Sequence, residues 1–225
     1  MITYDDLILT GRYSFAEGEQ NKALCLKNNK LPISIKFKEF NYIMDAVIGG
    51  KCTRGYEIAT GFGISSLAAG FGFKKTGGKL VTLDCYVEEK FGSHNCKTLE
   101  RVVNINAEGY KSIEFLIKKY ELENIVIPKL GWSPEDVDRV LAEEFDDIQN
   151  NKLDYVFIDG EHNIESIEKD ILSIVKYINK NTIMFFHDMF PFFIDEVDAL
   201  INKVLNRRIK IVILPPDGFS LATAE

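Results

Sequence analysis

One glycine turn and two pairs of acids and histidines carry the chemistry that this sequence can do. The segment Tyr56-Glu57-Ile58-Ala59-Thr60-Gly61-Phe62-Gly63-Ile64-Ser65-Ser66-Leu67 reads as a strand running into a turn that opens a helix. Gly61 and Gly63 let the backbone approach a ligand closely, and the helix start offers unpaired N–H groups. Glycine turns also join strands to helices for structural reasons alone, so the motif by itself fits either reading. Two details narrow it. Ser66 stands where a dinucleotide fingerprint has its third glycine, and Glu57 sets a carboxylate where a pyrophosphate would be repelled. An acidic approach suits a ligand carrying ammonium or sulfonium charge. Asp84 follows 21 residues after Gly63, placed to accept both ribose hydroxyls of an adenosine ligand. A nicotinamide dinucleotide presents the same ribose, so Asp84 alone does not separate the two.

The second group lies further along. Asp159-Gly160-Glu161-His162 and His187-Asp188 each end a strand-like run, and two of the chain's three histidines are there. Open α/β sheets take ligands beyond the carboxyl ends of their strands. A single histidine at such a place is as readily a helix cap; two beside two carboxylates point to a site.

The elements that must position these residues alternate in type. Short β-branched runs at Gly55 to Ala59, Leu80 to Cys85, Ile125 to Lys129, Leu153 to Asp159, Thr182 to His187 and Lys210 to Leu214 are separated by amphipathic stretches. That alternation predicts a parallel sheet built from βαβ units. A helix is expected from Phe37 to Val47, ended by Gly49-Gly50. Ser133-Pro134-Glu135-Asp136 reads as a helix start with Ser133 as its cap. Ile164, Ile167, Ile171, Ile174, Val175 and Ile178 form one apolar stripe for packing on the sheet. Near the end, Ile209 to Leu214, the turn Pro215-Pro216-Asp217-Gly218 and Phe219 to Thr223 read as an antiparallel hairpin. The connection from Tyr86 to Asn124 is too long to lack a helix. The run Met189-Phe190-Pro191-Phe192-Phe193 suits sheet-facing core, and part of it could wall an acceptor pocket.

Length and composition bound the rest. At 225 residues, 46% hydrophobic and 27% charged, the chain suits one large globular domain. Residues 1–48 are expected to form an N-terminal arm and helix packing on a core domain of residues 49–225. A net charge of −7 without a basic block argues against nucleic acid as partner. The longest apolar runs are strand-sized and the opening residues lack a basic stretch, so neither membrane nor export is expected and a cytoplasmic setting is. Cys25, Cys52, Cys85 and Cys96 show no metal or redox spacing and read as idle thiols. A homo-oligomer is compatible with all of this.

With these residues together, the chain resembles the class I S-adenosylmethionine-dependent methyltransferases, and more closely their small O-methyltransferase branch, methyltransferase family 24-like. The matching residues are Glu57 to Gly63, Leu83-Asp84, Phe157-Ile158-Asp159-Gly160-Glu161-His162 and Phe186-His187-Asp188, and the resemblance covers about residues 50 to 225. It implies a Rossmann-like, doubly wound, seven-stranded and mostly parallel α/β sheet whose last hairpin is reversed. It also implies that Glu57 and the turn through Ala59, Gly61, Gly63 and Ser65 face the methionine part of the cofactor. Asp84 then holds the ribose, and Trp132 and Ser133 lie at the adenine. Ala59 replaces the usual first glycine, a change that a backbone in an ordinary conformation tolerates.

Methyl transfer from a sulfonium is an in-line displacement, so the acceptor must be aligned and its proton removed. His162 stands where some relatives carry a general-base lysine, and an ordinary imidazole pKa of about 6.5 suits that task. Asp159, His162 and His187 are therefore the expected catalytic residues. Asp159 and Asp188 could hold an Mg²⁺-like ion that acidifies an acceptor hydroxyl. Relatives that use a metal commonly place Asn after the second aspartate; here that residue is Met189, so Glu161, His187 or water would have to complete the shell. The expected partner is a small hydroxylated substrate. The rival readings are a nicotinamide-dependent oxidoreductase on a similar sheet and a binding module without chemistry.

Overall fold

The computed structural model describes residues 35, 37–61, 63–85, 113–161, 163–187, 194–205, 209–214 and 219–224. The N-terminal arm over 1–34, most of the Tyr86 to Asn124 connection and the aromatic run after His187 lie outside them. Strands β1 (Arg54–Ile58), β2 (Lys79–Asp84), β3 (Val126–Leu130), β4 (Tyr155–Ile158), β5 (Ile183–Phe186), β6 (Ile209–Leu214) and β7 (Phe219–Ala224) form one sheet in the order β3-β2-β1-β4-β5-β7-β6. The first five run parallel, whereas β7 is antiparallel to both β5 and β6. The chain winds outward from β1 to β3 and returns to the other side of β1 at β4. That reversal makes a switch point between β1 and β4, where open α/β sheets take their ligands.

Helices cover both faces. α1 (Phe37–Gly49), α2 (Ile64–Thr76) and a helical stretch over 113–119, here α3, lie on one side. On the other lie α4 (Val137–Glu144), α5 (Ile164–Ile174) and α6 (Ile194–Leu205). Strands buried on both faces read as near-continuous apolar runs, and β4 is buried at all four residues. Alternation then sorts the side chains. Tyr56, Ile58, Val156, Ile158, Met184 and Phe186 meet α4 to α6, while Leu80, Tyr155, Phe157 and Phe185 meet α1 to α3. Phe40, Ile43 and Val47 give α1 its buried stripe, and it lies so close on α2 that a Cβ on Gly72 would come within 2.7 Å of Val47.

One helix boundary differs from expectation. Ser133 does not cap α4: residues 133–136 form a turn, Asp136 occupies the N-cap position, and the Ser133 hydroxyl is bonded elsewhere. A tertiary partner has taken the group that local pattern assigned to the helix. By contrast, Asn163 caps α5 by accepting from the Ser166 N–H at 2.9 Å. Cys52 is buried and free, its thiol pushed up to about 12 by burial and then by Asp154, which makes it inert. Among the described residues no helix is long and apolar enough to cross a membrane.

Candidate active site

Register alone lines up the strand-end residues. Leu83 pairs with Ile58, Ile58 with Ile158, and Ile158 with Phe186. Each pair is followed by one more ladder bond: Ala59 N–H donates to Leu83 O (2.8 Å), Asp159 N–H to Ile58 O (3.1 Å) and His187 N–H to Ile158 O (3.0 Å). Asp84, Ala59, Asp159 and His187 therefore stand in a row at the carboxyl ends of four adjacent strands. By alternation Asp84, Asp159 and His187 point to the face of α1 to α3, as do Glu57 and Phe157. Four positions scattered over more than a hundred residues thus share one rim.

The turn after β1 is strained where sequence suggested it was not. Ala59 has φ 69°, in the left-handed region, so the expected ordinary backbone is not what this alanine adopts. The last ladder bond holds its N–H toward Leu83 while the chain must already leave the sheet. Gly63 has φ 80° at the N-cap of α2, and a Cβ there would stand 2.3 Å from Ile113 of α3. Only glycine fits that contact. Gly61, by comparison, faces open space.

Glu57 lies beneath this turn and is 1% exposed. Its Oε1 accepts from Ser65 Oγ at 2.5 Å and its Oε2 from Ser66 Oγ. Burial pushes its carboxyl up to about 7; the Ser65, Ser66 and Thr82 hydroxyls oppose that, and the charge of Asp159 adds to it. Ser66, noted in the sequence only as a missing glycine, thus helps fasten the helix start to the strand. Beside it Thr60 and Thr82 share a hydrogen bond of 2.5 Å. Asp84 closes the turn from the other side, its Oδ2 accepting from Gly61 N–H at 2.9 Å.

At the end of β3, Trp132 is 41% exposed and its main-chain N–H donates to Asp136 Oδ2 (2.9 Å). Its neighbour Ser133 donates its hydroxyl to Asp170 Oδ1 on α5 at 2.5 Å. Asp170 went unnoticed in the sequence, although an acid inside an isoleucine stripe was a signal for it.

At the β4 and β5 ends, His187 Nδ1 lies 3.1 Å from Asp159 Oδ1, and its Nε2 lies 3.6 Å from Glu39 Oε2. Glu39 is 2% exposed and comes from α1. Nothing in the sequence marks it, because the element facing α1 is decided only on folding. His162 and Asp188 lie outside the described residues, as does Met189. Asp159 already pairs with His187, and among the described residues no group of three or more His, Cys, Asp or Glu side chains is arranged to hold a metal ion. The described residues therefore do not make up a divalent-cation site.

Comparison with known proteins bears on the family and the fold. No curated protein matches the chain in sequence. Solved structures share its fold. An O-methyltransferase from Bacillus cereus in complex with SAH is 15% identical at TM-score 0.61, the alignment covering 96% of this chain and 91% of that one. The O-methyltransferase TomG from Streptomyces achromogenes, involved in tomaymycin synthesis and in complex with SAM, is 12% identical at TM-score 0.63, covering 100% and 92%. A precorrin-6y C5,15-methyltransferase from Geobacter metallireducens is 12% identical at TM-score 0.59, covering 87% and 91%. A family model described as methyltransferase domain matches residues 56–189, which run from β1 through the end of β5 and span the whole row of strand-end residues. The chain belongs to the methyltransferase domain family.

Proposed function

We propose that this methyltransferase uses S-adenosylmethionine and methylates a hydroxyl of a small molecule. The observation that carries the proposal is the row at the strand ends, which sets an adenosine-type carboxylate, Asp84, beside a glycine turn and continues into Asp159 and His187. In this reading the turn through Ala59, Gly61, Gly63 and Ser65 receives the methionine part, over the buried Glu57. Asp84 takes the ribose, and Trp132 and Ser133 flank the adenine. The acceptor sits beyond Asp159 and His187. Residues 49–225 form the catalytic domain, with residues 1–48 as an arm and helix against it.

Bound there, S-adenosylmethionine would supply an electrophilic methyl group for transfer to the acceptor oxygen, the C–S bond giving way to a C–O bond and its electron pair staying on sulfur. The acceptor's proton goes to His162, three residues after Asp159. Asp159 orients His187 through the Nδ1 contact. Asp159 and Asp188 are the pair that a divalent cation would use. With Asp159 paired to His187 and Met189 in the third-ligand place, we expect turnover to persist in EDTA; loss of activity restored by Mg²⁺ would show the opposite.

The test begins with calorimetry. S-Adenosylhomocysteine should bind and NAD should not, and Gly61→Val and Asp84→Ala should each weaken binding at least tenfold. With a hydroxylated acceptor found by panel screening, His162→Ala and Asp159→Ala should abolish methyl transfer at unchanged cofactor affinity. Joint loss of binding and turnover would mean that these two residues organise the fold instead. Binding without transfer to any acceptor would favour a module that has lost its chemistry.

A further inference from the structure

Asp170 is a buried carboxyl that the methyl-transfer chemistry does not use. It is 5% exposed on α5, inside a stripe where an isoleucine would pack without a desolvation cost. Its Oδ1 takes the Ser133 hydroxyl at 2.5 Å, joining the loop after β3 to the helix after β4. A Cβ on Gly160 would stand 2.8 Å from its Oδ2, so the carboxyl also lies against the residue that follows Asp159. The two loops that flank the site are thereby held to one group.

The consequence for Ser133 is a matter of proton count. A serine hydroxyl has one proton to give and two lone pairs. With its O–H donated to Asp170, Ser133 Oγ can only accept from a ligand. Two main-chain donors of the same loop are engaged as well: Gly131 N–H goes to Asp84 O at 3.1 Å and the Trp132 main-chain N–H to Asp136 Oδ2 at 2.9 Å. Pro134 has none. Burial pushes the Asp170 carboxyl up to about 6, the Ser133 bond opposing and Glu135 and Glu161 adding, so at neutral pH it remains the acceptor that this arrangement needs.

We propose that Asp170 is a positioning residue for cofactor choice: by holding the Ser133 proton it makes Ser133 Oγ an obligate acceptor, which selects a purine bearing an amino group over one bearing an oxo group. The assignment rests on the reading above in which Ser133 meets the adenine. An exocyclic amino group donates to Oγ, whereas the oxo oxygen of hypoxanthine would face it lone pair to lone pair. Leaving such a pair unmatched lowers affinity by about 10- to 100-fold.

The experiment is calorimetric titration of the full chain with S-adenosylhomocysteine and with S-inosylhomocysteine, for wild type, Asp170→Asn and Ser133→Ala. Wild type should prefer the amino ligand by about 10- to 100-fold. In Asp170→Asn the amide can donate to Oγ and return the hydroxyl its proton, so the preference should narrow to about threefold or less. Ser133→Ala should narrow it similarly and carries the test if Asp170→Asn does not fold. Equal weakening of both ligands with the ratio intact would assign Asp170 a structural role only and overturn the proposal. Failure of wild type to bind S-adenosylhomocysteine would overturn the cofactor reading and this assignment with it.

Discussion

Glu57 has both carboxylate oxygens on serine hydroxyls and is 1% exposed, and this makes the unliganded protein sensitive to pH. Its folded pKa of about 7 lies above the ordinary 4.5, so between those values the folded state holds a proton that the unfolded chain has released. Stability therefore falls as pH rises through that window, by an amount on the order of 3 kcal/mol. Asp170, raised from 3.8 to about 6, acts with the same sign at lower pH. The midpoint of urea unfolding without ligand should drop from pH 5 to pH 7.5, and Glu57→Gln should flatten most of that fall. An unchanged slope would remove Glu57 as its source. The strain at Ala59 makes a separate prediction. Ala59→Gly relieves a left-handed alanine and should raise stability by about 0.5–1 kcal/mol despite the freer unfolded chain. Gly63→Ala meets both positive φ and Ile113 and should lower it by about 1–3 kcal/mol, both read from denaturant midpoints.

Among the elements, α1 does more than cover the sheet. It delivers Glu39 to the far nitrogen of His187, so each imidazole nitrogen faces a carboxylate from a different part of the chain. Glu39→Gln should disturb the ¹⁵N resonances of His187 and lower kcat by about tenfold, while S-adenosylhomocysteine affinity stays unchanged. Unaltered kcat would confine Glu39 to packing. The same scale explains which element features the sequence showed. The α5 stripe was legible because its isoleucines recur at helical spacing, and 113–119 proved helical because so long a connection had to contain a helix. The Ser133 cap was misread because a local pattern cannot register that Asp170, 37 residues on, binds the hydroxyl instead.

For the whole molecule, the proposed ligand site lies on a row of strand ends, so binding should stabilise the entire domain. S-Adenosylhomocysteine at a hundred times its Kd should add about 2.7 kcal/mol to the unfolding free energy, and NAD at the same concentration none. Thermal unfolding with each ligand measures the difference. Taken alone, the sequence determined the parallel α/β framework, the glycine turn and the strand-end positions of Asp84, Asp159 and His187. Those follow from residue type and short-range periodicity, which need no knowledge of partners. Only the folded chain decided that Glu57 is sealed under two serines, that Ala59 is strained, that Glu39 meets His187 and that the Ser133 hydroxyl donates to Asp170. Each of these depends on sheet order and on which helix lies over which strand. Such long-range pairings are set by packing and register, and they leave no mark on the spacing of neighbouring residues.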